Sequence, residues 1–317
     1  MSTRPHRFQI FWDRAGMLVV FALLFAGCSV FVKGFFQPVN MESILLSVST
    51  IGIISCTMLF CLAAGAFDLS VGSTVACTGV ITAVVINHTG SVPAGIAAGL
   101  GAGALVGLVN GLLIARAGIN ALIATLATMQ VVRGLGYKVT GGKSVGVINE
   151  SFFQLGNAYF LRLPVPIWIC LGCFLLFGFL ISRTTFGRNT LALGGNPEAA
   201  RLAGIATVRL QVIIFTLQGA IAALAGIVLC SRMTSGQPMV AQGLELDVIS
   251  ACVLGGVSLT GGVGQMSHVI AGVLIMGTVR NAMNLLNLQT FDQMVASGLI
   301  LLAAVAFDRL KQRGAGR

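Results

Sequence analysis

Long apolar runs recur along the chain, broken by short polar stretches, and none shows the period-two alternation of a half-buried strand. Windows of about 19 residues place apolar segments near 17–33, 43–65, 69–87, 92–115, 119–137, 164–182, 210–230, 247–263, 266–286 and 292–307. In hydrocarbon only a helix or a closed barrel satisfies its own backbone, and barrel strands require alternation. The pattern therefore predicts an all-α integral membrane protein of about ten transmembrane helices, forming a single domain over 1–317. The first run passes through Phe25-Ala26-Gly27-Cys28, which imitates a lipoprotein signal. Its apolar character continues to Val32, so it reads as an uncleaved first span.

Composition agrees. Of 317 residues, 9% are charged and 56% apolar, against about a quarter charged in soluble domains. The net charge of +10 is not gathered on a soluble face as a nucleic-acid binder requires; its distribution instead orients the spans. With the N-terminus cytoplasmic, the inward segments hold twelve basic residues (Arg4, Arg7, Arg14, Arg116, Arg183, Arg188, Arg201, Arg209, Arg309, Lys311, Arg313, Arg317) against four acids. The outward segments hold five of each sign, with Arg133 and Arg280 near outer span ends. Cytoplasmic loops retain Lys and Arg, which predicts both termini on the cytoplasmic side. Spans 2–5 and 7–10 then form two sets of opposite orientation, as in transporters built from inverted repeats.

Within the spans, the fourth carries Gly95, Gly99, Gly103, Gly107 and Gly111, one glycine every four residues. Such a row forms a groove that admits another helix backbone, for close packing or for sliding. The second span aligns Ser43, Ser47, Thr50 and Thr57 on one face, either lining a mildly polar translocation path or bonding back to their own helix. No acid or base falls near a span centre, which argues against an ion-coupled carrier and against a charged substrate. Only two Trp and two Tyr are available as sugar-stacking platforms. A tight sugar site is therefore not expected in this chain, and selectivity is expected in a partner.

Other chemistry is excluded residue by residue. Gly142-Lys143-Ser144 resembles the end of a phosphate loop, but Tyr137 stands where its first glycine belongs. Cys170 and Cys173 have metal spacing yet lie in an apolar span without His or acid beside them, and His6, His88 and His268 are isolated. No metal, catalytic residue or resident cofactor is expected.

The longest inward loop, 183–209, is built differently. Asn196 caps a helix started by Pro197, Glu198 complements its dipole, and Gly204 stops it. A short helix of small residues facing the cytoplasm fits a partner's groove, or serves as a solvated connector. Glu198-Ala199-Ala200 with Gly204 resembles the coupling loop of bacterial ABC importer permeases, although the proline that often closes the longer motif is absent beyond Ile214. Phe67–Ser73, Asn110–Ile114 with Ala124–Thr128, Arg133-Gly134 and Val253–Gly262 resemble the sugar-importer branch of the ribose, xylose and arabinose type. Met58–Leu62, Glu150–Phe153, Ser231–Pro238 and Asn281–Asn287 are most similar to the L-arabinose members. The resemblance covers nearly the whole chain. It implies a multi-pass permease of the bacterial inner membrane that translocates a neutral monosaccharide, L-arabinose or another pentose, hexose or autoinducer. It further implies a second copy of the chain, a periplasmic sugar-binding protein, and a cytoplasmic ATPase that carries ATP–Mg. The ATPase would dock on Gly187, Arg188, Gly195, Asn196, Glu198, Ala199, Ala200 and Gly204.

Overall fold

The computed structural model describes the backbone of residues 7–315 and the side chains of residues 16–306. The terminal basic residues Arg4, Arg7, Arg14, Arg309, Lys311, Arg313 and Arg317, which bear on the sidedness of the termini, lie outside the described side chains. The described residues form thirteen helices: α1 (Arg7–Phe31), α2 (Pro38–Ala63), α3 (Val71–Thr89), α4 (Val92–Ala115), α5 (Ala121–Thr140), α6 (Glu150–Asn157), α7 (Val165–Arg183), α8 (Thr185–Gly195), α9 (Pro197–Leu202), α10 (Thr207–Arg232), α11 (Leu244–Leu254), α12 (Met266–Leu285) and α13 (Thr290–Ala315). Five of them, α2, α3, α4, α7 and α10, combine the length and apolarity needed to cross a bilayer.

Helix α2 is the axis of the bundle. From Ile51 to Ala63 every residue is buried, against α7, α10, α11 and α12. Phe60 anchors the α7–α8 side, stacked on Phe186 at 5.4 Å and edge-on to Phe177 at 6.0 Å. A second group packs α3, α4 and α5 with α10, and a third packs α11, α12 and α13 with α2.

The row of glycines on α4 explains how closely α10 approaches. All five are buried. Gly95 and Gly99 face Ile86 and Thr82 of α3, while Gly103, Gly107 and Gly111 face Gly219, Phe215 and Val212 of α10. A Cβ at Gly103 would stand 2.5 Å from the Gly219 carbonyl oxygen, and one at Gly111 would stand 2.8 Å from the Val212 Cα. Each glycine costs about 1 kcal/mol of helix propensity relative to alanine. Direct backbone packing offsets that cost, with dispersion and weak Cα–H···O contacts at every turn.

One expected span is built otherwise. The segment near 247–263 is helical only from Leu244 to Leu254, and then continues through turns and bends to Gln265. Eleven residues rise about 16 Å, half of the roughly 30 Å hydrocarbon core. The break has a local cause: Gly256, Gly261 and Gly262 adopt φ of +83°, +88° and +76°, outside the helical region.

The two ends of the bundle differ. One carries α8 and α9. The other carries α6 and two minimal sheets, in which β1 (Val145–Gly146) pairs antiparallel with β4 (Ser235–Gly236), and β2 (Tyr159–Phe160) with β3 (Leu163–Pro164). Helix α6 lies on the end of α10. The Ser231 hydroxyl donates to the Phe152 carbonyl at 2.6 Å and accepts from the Gly156 amide at 2.8 Å.

Candidate functional site

At one end, α8 and α9 form a projecting elbow. The Thr184 hydroxyl accepts from the Gly187 amide and caps α8; Asn196 Oδ1 accepts from the Ala199 amide at 2.9 Å and caps α9. Glu198 in the first turn of α9 pairs with Arg201 at 2.7 Å, both exposed. Gly204 ends the helix at φ +83° with open space around it. Of the residues expected to meet a partner, Arg188, Gly195, Asn196, Glu198, Ala199 and Gly204 are exposed. Gly187 and Ala200 are buried: Gly187 packs directly on the Leu180 and Ile181 carbonyls, and Ala200 faces the bundle. Leu202, 78% exposed, stands out as the apolar tip of α9 and was not among the expected residues.

At the opposite end, two adjoining clefts of about 380 and 330 Å³ share Leu46, Leu229 and Arg232. Ser43, Ser47 and Thr50 line the second, with Arg280, Ala241 and Leu244; Glu42, Asn157 and Tyr159 line the first. The Tyr159 hydroxyl bonds to Glu42. Thr57 is absent from this lining. It is buried deeper along α2, where its hydroxyl donates back to the Ile54 carbonyl at 3.3 Å. The Ser43 hydroxyl also back-bonds, to Val39 at 3.0 Å. The lining mixes polar with apolar groups and is nearly charge-balanced, because Arg280 is paired with the buried Asp247 at 2.7 Å and Glu42 shares the first cleft with Arg232. That composition suits hydroxyl groups better than an ion.

Between the ends, the turn joining α2 to α3 buries a carboxylate that pairs with no cation among the described residues. Asp68 Oδ1 accepts from the Ser70 amide at 2.8 Å and the Ser70 hydroxyl at 2.6 Å, and Asn110 Nδ2 of α4 donates to Ser70 Oγ at 2.9 Å. This network ties α4 to the start of α3. Burial raises the Asp68 pKa, and the hydrogen bonds from Ser70 and Asn110 oppose the rise. The folded protein thus holds the Asp68 proton more tightly than an unfolded chain would. Stability from this group is gained as pH falls through the raised value and lost as pH rises through it. Melting in detergent across mildly acidic pH is expected to show this dependence, and Asp68→Asn to remove it. Asp68→Ala is expected to lose about 1–3 kcal/mol by leaving buried donors without an acceptor.

Residues 40–305 match the family described as the branched-chain amino acid transport system / permease component. The chain belongs to this permease family. The permease is 61% identical over 302 residues to the L-arabinose transport system permease protein AraH of Escherichia coli K12, covering 95% of the permease and 92% of the relative. It is 52% identical over 300 residues to the L-arabinose ABC transporter permease protein AraH of Azospirillum brasilense, covering 95% and 88%. It is 40% identical over 285 residues to the ribose import permease protein RbsC of Bacillus subtilis 168, covering 89% and 88%. No solved structure matches. The permease is accordingly a multi-pass inner-membrane transport subunit and not an enzyme.

Three groups in the permease were not singled out from sequence as site residues. Arg133 on α5 donates to the Pro238 and Val240 carbonyls at 3.0 and 2.7 Å, pinning the 233–243 loop. Arg232 closes the cleft, and Arg280 pairs with Asp247. A basic residue inside an otherwise apolar helix is the signal that marks them.

Proposed function

We propose that the permease is the membrane subunit of an ATP-driven L-arabinose importer. The observation that carries this reading is its 61% identity, along 95% of its length, to a protein named for L-arabinose transport. Relatives named for ribose import stand lower, at 40% or less. The elbow of α8 and α9 supports a cytoplasmic docking site for an ATPase, which supplies ATP–Mg. Leu202 offers an apolar plug, and the exposed face of Asn196, Glu198 and Ala199 surrounds it. A periplasmic sugar-binding protein delivers substrate to the end bearing α6 and the clefts.

Ten crossings with both termini cytoplasmic complete this reading, with α11 and the non-helical segment behind it together making one crossing. Two inverted sets, α2–α5 and α10–α13, are supported by their matching neighbours. Helix α4 packs on α10 as α12 packs on α2; α3 packs on α4 and α5 as α11 packs on α12 and α13. The cleft beside Ser43, Ser47 and Thr50 ends where α2 becomes fully buried. We therefore place the through-route between two copies of the permease, with the cleft at its mouth.

The test is uptake of L-arabinose by proteoliposomes holding the permease, its ATPase and its binding protein. Gly204→Trp adds bulk at an exposed position with open space around it, and is expected to abolish uptake while the protein still inserts. Gly204→Ala shares the backbone strain of a positive φ without the bulk, and is expected to keep most activity. Normal uptake by Gly204→Trp would remove the docking assignment.

A further inference from the structure

Three segments far apart in sequence meet beneath the elbow, with glycine at each contact. Gly194, in the last turn of α8, lies so close to the end of α2 that a Cβ would overlap the Ala63 carbonyl oxygen and stand 2.6 Å from the Gly262 amide nitrogen. A Cβ at Gly261 would stand 2.8 Å from the Gly194 carbonyl oxygen and 2.9 Å from the Gly65 Cα. The Gly262 amide donates to the Ala63 carbonyl at 2.9 Å. No side chain separates these backbones, so nothing compliant lies between them, and close-packed interiors transmit displacement with little compression.

The third segment leads back to the clefts. It is the non-helical stretch of turns that follows α11 and precedes α12. Gly255 packs on the His268 carbonyl, and Gly272 packs on the Ala251 carbonyl, so α11 and α12 are held together as a pair. Leu244 at the start of α11 and Arg280 of α12 both line the second cleft. One continuous path of backbone contact thus runs from α8 to the cleft at the opposite end.

We propose that this glycine joint is the transmission point of the importer: Gly194 of α8, the end of α2 and the 258–264 segment move as one body, carrying α11 and α12 and so reshaping the cleft. The proposal rests on the reading of α8 and α9 as the ATPase dock. It makes Gly194 and Gly262 positioning residues, distinct from any residue that touches sugar or ATPase.

A glycine outside the joint and the dock provides the control. A Cβ on Gly172, exposed within α7, meets nothing within 4 Å, whereas one on Gly194 overlaps the backbone. Both substitutions replace a helical glycine by alanine and gain similar helix propensity, so they differ in the contact that the added methyl makes. Sugar imported per ATP hydrolysed is measured in proteoliposomes with the ATPase and binding protein present. Gly172→Ala is expected to match wild type. Gly194→Ala is expected to keep the ATPase bound and hydrolysing but to import about tenfold less sugar per ATP, within the usual range of coupling energies. An unchanged ratio in an assembled Gly194→Ala complex overturns the joint. If that variant does not assemble, Gly264→Ala replaces it: its Cβ meets the movable Leu59 side chain at 2.6 Å. A partial fall in the ratio is then expected, and a wild-type ratio overturns the joint. Failure of the wild-type complex to import L-arabinose at all would overturn the importer reading instead, without bearing on the backbone contacts.

Discussion

Gly107→Leu is expected to prevent the permease from accumulating as a folded, monodisperse protein. At Gly107 a side chain would point into the backbone of α10, with its Cβ 2.9 Å from the Phe215 carbonyl carbon and 3.0 Å from the Thr216 Cα. The contact is reciprocal: a Cβ on Gly219 would stand 2.7 Å from the Gly107 amide nitrogen. Neither backbone can give way as a side-chain tip would, so the helices must separate along the seam, at a cost of about 3 kcal/mol or more. Gly101 supplies the control. It lies on the same helix, exposed, with nothing near its Cβ position. Gly101→Leu should face lipid and leave the melting temperature in detergent within a few degrees of wild type. Equal behaviour of the two variants would show that the seam is not what holds α4 to α10.

Arg280→Met is expected to be far more damaging than Asp247→Asn, although the two residues form one ion pair. The reason is an asymmetry of burial. The Asp247 side chain is 3% exposed, while that of Arg280 is 36% exposed and opens to the cleft. Without Asp247 the guanidinium can turn to water in the cleft. Without Arg280 the carboxylate is left inside the bundle without its cation, a loss of about 3–5 kcal/mol when a buried pair is broken from one side. The double variant Arg280→Met with Asp247→Leu removes both charges and should recover most of the stability, because an apolar pair of similar volume avoids the desolvation penalty. Denaturation in detergent, run as a double-mutant cycle, reads this directly. A double variant as unstable as Arg280→Met alone would mean that the arginine acts through packing and not charge.

The helices were legible where local chemistry decides them. Asn196, Pro197 and Gly204 are read off as cap, first turn and stop because each acts within a few residues of itself, and the structure places α9 between them. The glycine row marked a close-packed face of α4 for the same reason. The identity of what fills that face was not legible, since α10 lies far along the chain; its own small residues, Gly219, Ala222, Ala223 and Gly226, share one face at helical spacing, but spacing within a helix does not say which other helix that face meets. Thr57 shares a helical face with Ser47, yet one opens to a cleft and the other is sealed. Periodicity gives direction around a helix but not depth along it, and depth is set by α7, α10 and α11. The segment at 247–263 reads as one continuous apolar helix, and the structure ends that helix at Leu254. Hydropathy counts glycine as a neutral residue, whereas Gly256, Gly261 and Gly262 supply the positive φ that ends helix formation.

The burial of α2 bears on how the permease is made. This helix ranks third in mean hydropathy among the five crossing helices, at 2.2 behind 2.4 for α10 and 2.3 for α7, yet 78% of its apolar window is buried inside the protein. During synthesis it enters the bilayer before α7, α10 and α12 exist, so lipid must solvate it first and leave later. The final exchange waits until residue 285 has been made, when the last of these three neighbours is complete. A ribosome stalled earlier would hold α2 as a greasy, protease-shielded but unpacked segment. Quality-control factors that survey the membrane would therefore meet the centre of this protein before its rim could hide it.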